Sequence, residues 1–448
     1  MKKEYWLMIG SIIFSLITGL GLIRWLAPEL FGMPTDAKIV KLSKELPAFF
    51  DTIFRSQAEK DSNDFLINDP ITLVRARPLA EDNVMFGPHD VLGFRNYFVP
   101  NVAPIVTIGD SQTYGNNVSI DFNWPNLMLS KLNLPTTAVY SMATGGWGAV
   151  QYLNMFAISG RFKPRVIIIA YYTGNDSLES FKAAYSIDKW SFLRPDKKLS
   201  LADMPQVAFP APETEWWTVK FNDGYSMVFT PRLRYYSNDP VSPSAEAGYL
   251  IMKEAAHIMD ETVKGGNARL IFTIIPTKEM VYSKRIKMDG INYSKDYSNL
   301  ISAEMNHIVD MKNYFSKLQN SRYIDVIEPL QQAAMVDSTL YPEDKDGHPL
   351  QGGYSIIGET LAKALSDLSK PASGIVAVIG GNKTYQLYLI NQEGVWKVPS
   401  ESMLEKNGWN QDFAPPQVTA SELALYPQQG MLLEVNPKRF GPSILEHH

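Results

Sequence analysis

From Pro104 onward the chain alternates two kinds of hydrophobic pattern. Short apolar runs rich in β-branched residues recur: Ile105-Val106-Thr107-Ile108, Thr137-Ala138-Val139-Tyr140, Val166-Ile167-Ile168-Ile169-Ala170 and Leu270-Ile271-Phe272-Thr273-Ile274-Ile275, with a weaker one at Tyr323-Ile324-Asp325-Val326-Ile327. Between them lie stretches with helical character, at Trp124–Leu132, Ala149–Ser159, Ala245–Val263 and Tyr354–Leu368. A run that is apolar at successive positions buries both of its faces, as a parallel strand between two helical layers must. The pattern predicts an α/β domain with a mostly parallel sheet covered on both sides. Ligands on such sheets bind beyond the carboxyl ends of the strands.

Other parts of the chain depart from this alternation. Tyr5 to Leu26 is nearly uncharged, and 19 residues precede Arg24. A helix of that length spans about 30 Å of hydrocarbon. Lys2 and Lys3 precede the run, and positive charge stays on the cytoplasmic side. Residues 1–27 are therefore expected to be a transmembrane anchor, with the rest of the chain outside the inner membrane. The run is long for a cleaved signal peptide. Residues 28–94 read as a stalk and lead-in, with a helical stretch near Ala37–Phe54. Within the α/β domain, residues 95–370, an insertion at 186–244 is rich in proline and aromatics. There Asp223-Gly224 between alternating runs signals a hairpin. Residues 371–444 read as a small β-rich appendage, with strands at Gly374–Ile379 and Gln386–Ile390 and a turn at Asn391–Gly394. Residues 445–448 match a tag remnant.

Composition narrows the chemistry. Hydrophobic residues make up 45% and charged residues 20% of the 448, enough to bury a core. The formal net charge of −5 argues against a general nucleic-acid binder. There is no cysteine, which excludes disulfides, thiolate metal sites and cysteine nucleophiles. Apart from the two tag histidines, four remain: His89, His257, His307 and His348.

The polar residues that follow the predicted strands are the candidates for chemistry. Gly109-Asp110-Ser111-Gln112-Thr113-Tyr114-Gly115 ends the first strand, so Ser111 is placed as a nucleophile. His257 and His307 fall on predicted helices, and His89 lies in the lead-in. His348 lies in an acidic loop before the last α/β helix, with Asp346 two residues upstream to orient it and Asp344 four upstream. Asn175, in Tyr172-Thr173-Gly174-Asn175-Asp176, offers a side-chain amide after the third strand. The glycines of Gly145-Gly146-Trp147-Gly148 offer backbone N–H groups after the second. Trp147, Trp216 and Trp217 are candidates for contact with substrate, the last two by stacking on a sugar.

In this order GDSQTYG, the glycine of GGWG, TGND and D-G-H resemble the four blocks of the SGNH/GDSL hydrolase superfamily over about residues 95–370. The resemblance implies a flavodoxin-like three-layer sandwich. It implies Ser111 as nucleophile, His348 as base and Asp346 as the residue that orients it. The oxyanion hole would comprise the backbone N–H groups of Ser111 and Gly146, with Gly145 the alternative, and the Asn175 side chain. No metal or organic cofactor is needed. Three positions depart from the pattern. Gln112 replaces leucine, Ser141 replaces asparagine, and the aspartate stands two rather than three before the histidine.

An outward-facing SGNH domain on one membrane helix is similar to proteins that acetylate or deacetylate exported polysaccharides. The expected activity is hydrolysis of O-acyl groups on a glycan. The alternatives are O-acyl transfer beside a multi-pass membrane acyltransferase, and an inactive module that binds glycan or scaffolds a membrane complex.

Overall fold

The computed structural model describes residues 65–80, 87–100, 103–132, 134, 138–264 and 268–365. In the C-terminal part it describes 374–379, 385–391, 394–399, 417–418, 420–423 and 428–431. The apolar run Tyr5–Leu26, the helical stretch Ala37–Phe54 and the tag remnant lie outside these residues. Among the described residues no helix is long and apolar enough to cross a membrane.

Strands β1 (Leu66–Asp69) and β2 (Leu73–Ala76) form an antiparallel hairpin. The α/β succession then begins with β3 (Ile105–Gly109), the one-turn helix α1 (Ser111–Tyr114) and α2 (Trp124–Leu132). It continues through β4 (Val139–Ala143), α3 (Ala149–Ser159), β5 (Val166–Tyr172) and α4 (Asp176–Ser186). The insertion supplies the hairpin β6 (Trp217–Lys220) and β7 (Ser226–Phe229), then the short helix α5 (Pro231–Tyr235). Next come α6 (Pro243–Thr262), β8 (Arg269–Ile275), α7 (Lys278–Val281), α8 (Ser283–Met288) and α9 (Lys295–Phe315). The domain closes with β9 (Ser321–Tyr323), α10 (Ile327–Val336) and α11 (Gln351–Ala364).

The central sheet has the order β4-β3-β5-β8-β9 with every neighbouring pair parallel. Alternate strand residues feed two separate cores. Val106, Ile108, Ile167, Ile169 and Phe272 pack with α3, α6 and α9 on one face. Ile105, Val166, Ile168, Ile271 and Ile275 pack with α2, α10 and α11 on the other. This is the three-layer arrangement that doubly apolar strands require.

The strand boundaries that differ most from the sequence reading are those of β4 and β9. β4 runs into Ser141-Met142-Ala143 because it pairs with β3 in register from Ile105↔Val139 to Gly109↔Ala143. β9 stops at Tyr323 because Asp325 turns the chain, its Oδ1 accepting the Ile327 N–H (2.9 Å) that opens α10.

From residue 65 on, the lead-in is built into the domain instead of standing off as a stalk. The Trp147 indole N–H donates to Val74 O (2.6 Å), Gln151 donates to Thr72 O (3.0 Å) and Trp190 to Ile71 O (3.2 Å). Arg95, fully buried, donates to the carbonyls of Gly87 and Val118. In the appendage, β10 (Gly374–Ile379), β11 (Tyr385–Asn391), β12 (Gly394–Lys397), β13 (Gln417–Val418) and β14 (Gln428–Met431) make a mixed sheet ordered β13-β10-β11-β12-β14. Its Ile390 and Val395 join the buried cluster that contains α2 and α11.

Candidate active site

The carboxyl ends of β3, β4, β5 and β8 carry the residues that matter. Asp110 caps α1, its Oδ1 accepting the Gln112 N–H at 2.9 Å, and Ser111 is the first helical residue. The turn needs Gly109. A Cβ there would lie 2.1 Å from Thr113 Oγ1, so any side chain would push the short helix off the strand end. Ser111 is 8% exposed, sheltered but reachable.

The loop Tyr341–His348 brings the other partners. His348 Nε2 lies 2.7 Å from Ser111 Oγ, and Nδ1 lies 2.6 Å from Asp346 Oδ1. A carboxylate can only accept, so Nδ1 carries the proton and donates to Asp346. Nε2 then presents its lone pair to the Ser111 hydroxyl. That hydroxyl also has Asp110 Oδ2 at 3.3 Å, but its single proton goes to the nearer partner. Asp346 Oδ1 further accepts the His348 backbone N–H at 2.8 Å. Asp344, exposed, accepts the Asp346 N–H at 2.8 Å and shapes the turn without touching the ring.

The electrostatics separate the acids by role. Burial alone would push the Asp346 carboxyl up. The His348 ring hydrogen bond and charge, the His348 N–H and nearby Arg234 outweigh it and hold the group down at about 2. Asp346 is therefore ionised at neutral pH. Asp110 and Asp176 are fully buried, and burial raises both, the charge of Asp110 raising Asp176 further. Asp176 accepts the Tyr172 N–H (2.8 Å) and the Tyr152 hydroxyl (3.0 Å), tying the end of β5 to α3.

Asn175 heads α4, yet its side chain makes no capping bond, and its Oδ1 is buried without a hydrogen-bond partner among the described residues. The amide is not committed to holding the helix. Gly145 faces Ser111: a Cβ on it would sit 3.7 Å from Ser111 Cβ. Gly146 takes φ +75°, the left-handed region that favours glycine, and turns the chain toward Trp147.

One expectation needs correction. Trp147 is fully buried, packs edge-on to Phe94 and donates its indole N–H to Val74, so it is a core residue with no surface for substrate. Trp147→Phe should lower unfolding free energy by about 2 kcal/mol, from lost volume and an unpaired carbonyl. Denaturant titration checks this, and KM for an ester substrate should stay within about twofold. Trp217 is half-buried against Phe229 and Tyr297 in the insertion's own aromatic cluster. Trp216 donates to Ala211 O (2.9 Å) and carries the Lys345 ammonium over its ring at 4.7 Å.

The other histidines are placed elsewhere. Burial lowers His89 to about 4, and its neutral ring bridges Arg77 O (2.7 Å) and the Tyr114 hydroxyl (2.7 Å). His307 stacks on Tyr249 at 3.8 Å between ring centres, and burial lowers it to about 4. His257 is exposed on α6.

Sequence reasoning missed several residues that touch the site. Gln112, at one of the positions that depart from the motif, donates to Gly347 O at 3.3 Å. Arg234, from the insertion, lies 5.9 Å over the Tyr172 ring and so close to Gly347 that a Cβ there would sit 2.7 Å from its Nη2. Lys278 follows β8 by three residues, so the rule that singled out Ser111 and Asn175 would have found it too.

No protein-family model matches the chain, and no curated protein matches it either. Among solved structures it is similar to a G-D-S-L family protein from Desulfitobacterium hafniense, at 14% identity and TM-score 0.31, covering 58% of this chain and 97% of that one. It is similar to a GDSL-like lipase from Bacteroides thetaiotaomicron, at 12% identity and TM-score 0.29, covering 58% and 86%. A catalytic mutant of an acetylxylan esterase from Geobacillus stearothermophilus is similar at 9% identity and TM-score 0.32, covering 59% and 94%.

Proposed function

We propose that the chain is an SGNH-type serine hydrolase that cleaves acyl esters through an acyl-Ser111 intermediate. One observation carries this reading: Ser111 Oγ, the His348 ring and the Asp346 carboxylate form one continuous hydrogen-bonded chain, at 2.7 and 2.6 Å. That is the arrangement by which a weak hydroxyl nucleophile is activated.

The steps follow from the proton positions. As Ser111 Oγ attacks the ester carbonyl carbon, its proton passes to His348 Nε2, and Asp346 stabilises the imidazolium. The carbonyl oxygen, now negative, is bound by the Asn175 amide and the backbone N–H groups of Ser111 and of Gly146 or Gly145. The C–O bond to the alcohol breaks, and the departing alkoxide takes the proton from His348. Water then attacks the acyl carbon while giving a proton to His348, the bond from that carbon to Ser111 Oγ breaks, Oγ takes the proton back, and the acid leaves.

The substrate class proposed is an O-acylated glycan outside the inner membrane, where the sequence expectation for residues 1–27 would hold the domain. The acceptor in the second half of the reaction decides between hydrolysis and transfer. Incubation of the full chain with an acyl-ester reporter, with and without oligosaccharide, reads this out. Free acid as the only product identifies a hydrolase. Acylated sugar identifies a transferase, which would take its acyl group from a multi-pass membrane partner. If a fluorophosphonate probe labels the wild type no faster than Ser111→Ala, both readings fail and a binding or scaffolding module remains.

A further inference from the structure

The loop Tyr341–His348 forms no helix or strand, yet its carbonyls are taken up almost one by one by donors outside it. The Tyr225 hydroxyl donates to Tyr341 O (2.9 Å), and the Val228 N–H of β7 to Glu343 O (2.8 Å). Gln112 donates to Gly347 O (3.3 Å), and Asn117 to His348 O (3.2 Å). The remaining three bonds come from one group: Lys278 Nζ lies 2.9 Å from Pro342 O, 2.7 Å from Asp344 O and 3.1 Å from Asp346 O.

An ammonium has three protons, and here each has an acceptor on the loop. Lys278 is 1% exposed. Burying a cation is costly unless its hydrogen bonds are complete, and a lysine needed only to fill space would be replaceable by an apolar side chain. Burial lowers Lys278 to about 8, opposed by the charges of Glu279, Asp344 and Asp346, so it stays protonated at neutral pH. The third carbonyl it holds belongs to Asp346, whose carboxylate holds the His348 ring. Lys278 is thus joined to the imidazole through a single residue.

We propose that Lys278 is a positioning residue of the site: its ammonium fixes the loop so that Asp346 and His348 keep the imidazole on Ser111. This rests on the reading of those three residues as acid, base and nucleophile.

The test uses the full chain with Lys278→Met, which keeps the length and removes the charge, and Lys278→Ala. Lys278→Met should lower kcat about 100-fold with KM within about threefold, because a displacement of about 1 Å at a reacting group has an effect of that size. It should slow fluorophosphonate labelling by the same factor. The downfield proton resonance of a carboxylate-bound imidazole, present in wild type, should vanish. In Lys278→Ala, propylammonium supplies the missing atoms and should restore about tenfold of the loss, whereas propanol should not. Wild-type kcat in Lys278→Met overturns the proposal. Loss of cooperative unfolding in both variants also overturns it, since Lys278 would then be needed for folding rather than for placement. An inactive, unlabelled wild type sinks the catalytic reading, while the imidazole resonance still decides the positioning one.

Discussion

Ser111→Ala should reduce ester turnover roughly 10,000- to 1,000,000-fold while leaving the fold in place, a loss of the size seen when a triad nucleophile is removed. The magnitude follows from what the hydroxyl does. In the proposed reaction it supplies the atom that bonds to the acyl carbon and the proton that His348 carries to the leaving group. Residual rate comes only from a water positioned by the remaining donors. The structural effect should be small because, among the described residues, the Ser111 hydroxyl hydrogen-bonds His348 and Asp110 alone. Asp110 keeps its bond to the Gln112 N–H, so α1 remains capped. Removing one partly buried hydroxyl that bridges two groups changes stability by about 1 kcal/mol. The measurement is kcat/KM on an acyl-ester reporter beside the thermal midpoint of the same preparation. A variant with more than a few per cent of wild-type kcat/KM would mean that another group is the nucleophile.

The proposed nucleophile was legible in the sequence because β3 is a β-branched run that ends at a glycine, leaving Ser111 as a reactive group just past a strand. The same logic located Asn175 after β5. His348 was legible by elimination among four histidines, helped by the acidic loop around it. The sheet was legible wherever strands were buried on both faces, and Asp223-Gly224 marked the β6–β7 hairpin through a turn that needs φ > 0, seen as +92° at Gly224. What was not legible depends on contacts between distant segments. Val74 and Thr72 look like lead-in until Trp147 and Gln151 bond to them. Trp147 beside a glycine pair resembles a binding residue in sequence, and only the β1–β2 hairpin packed over it makes it core. Lys278 was legible as a polar residue past the end of β8, but not as a buried one. Its role appears when a loop 64 residues further on lays three carbonyls around it. The β9 boundary slipped because Ile324, Val326 and Ile327 are apolar in a helix start as well as in a strand.

Asp346→Asn should lower kcat roughly 1,000- to 10,000-fold, whereas Asp344→Asn should stay within about threefold of wild type. The two carboxylates are two residues apart on one acidic loop, and spacing alone does not separate them. Geometry does: Asp346 Oδ1 is 2.6 Å from His348 Nδ1, while Asp344 Oδ1 accepts only the Asp346 N–H. An asparagine at 346 keeps the shape but removes the negative charge that stabilises the imidazolium. Its amide also offers an N–H₂ that favours the tautomer with Nδ1 unprotonated, which turns Nε2 from acceptor into donor toward Ser111. An asparagine at 344 still accepts the Asp346 N–H through its amide oxygen, and the position is exposed. The Lys278 bond to residue 344 uses the main-chain carbonyl, which the substitution does not touch. Parallel kcat measurements on the two variants decide the assignment. Equal losses would mean that the loop needs its total negative charge, and a larger loss at Asp344 would reverse the roles.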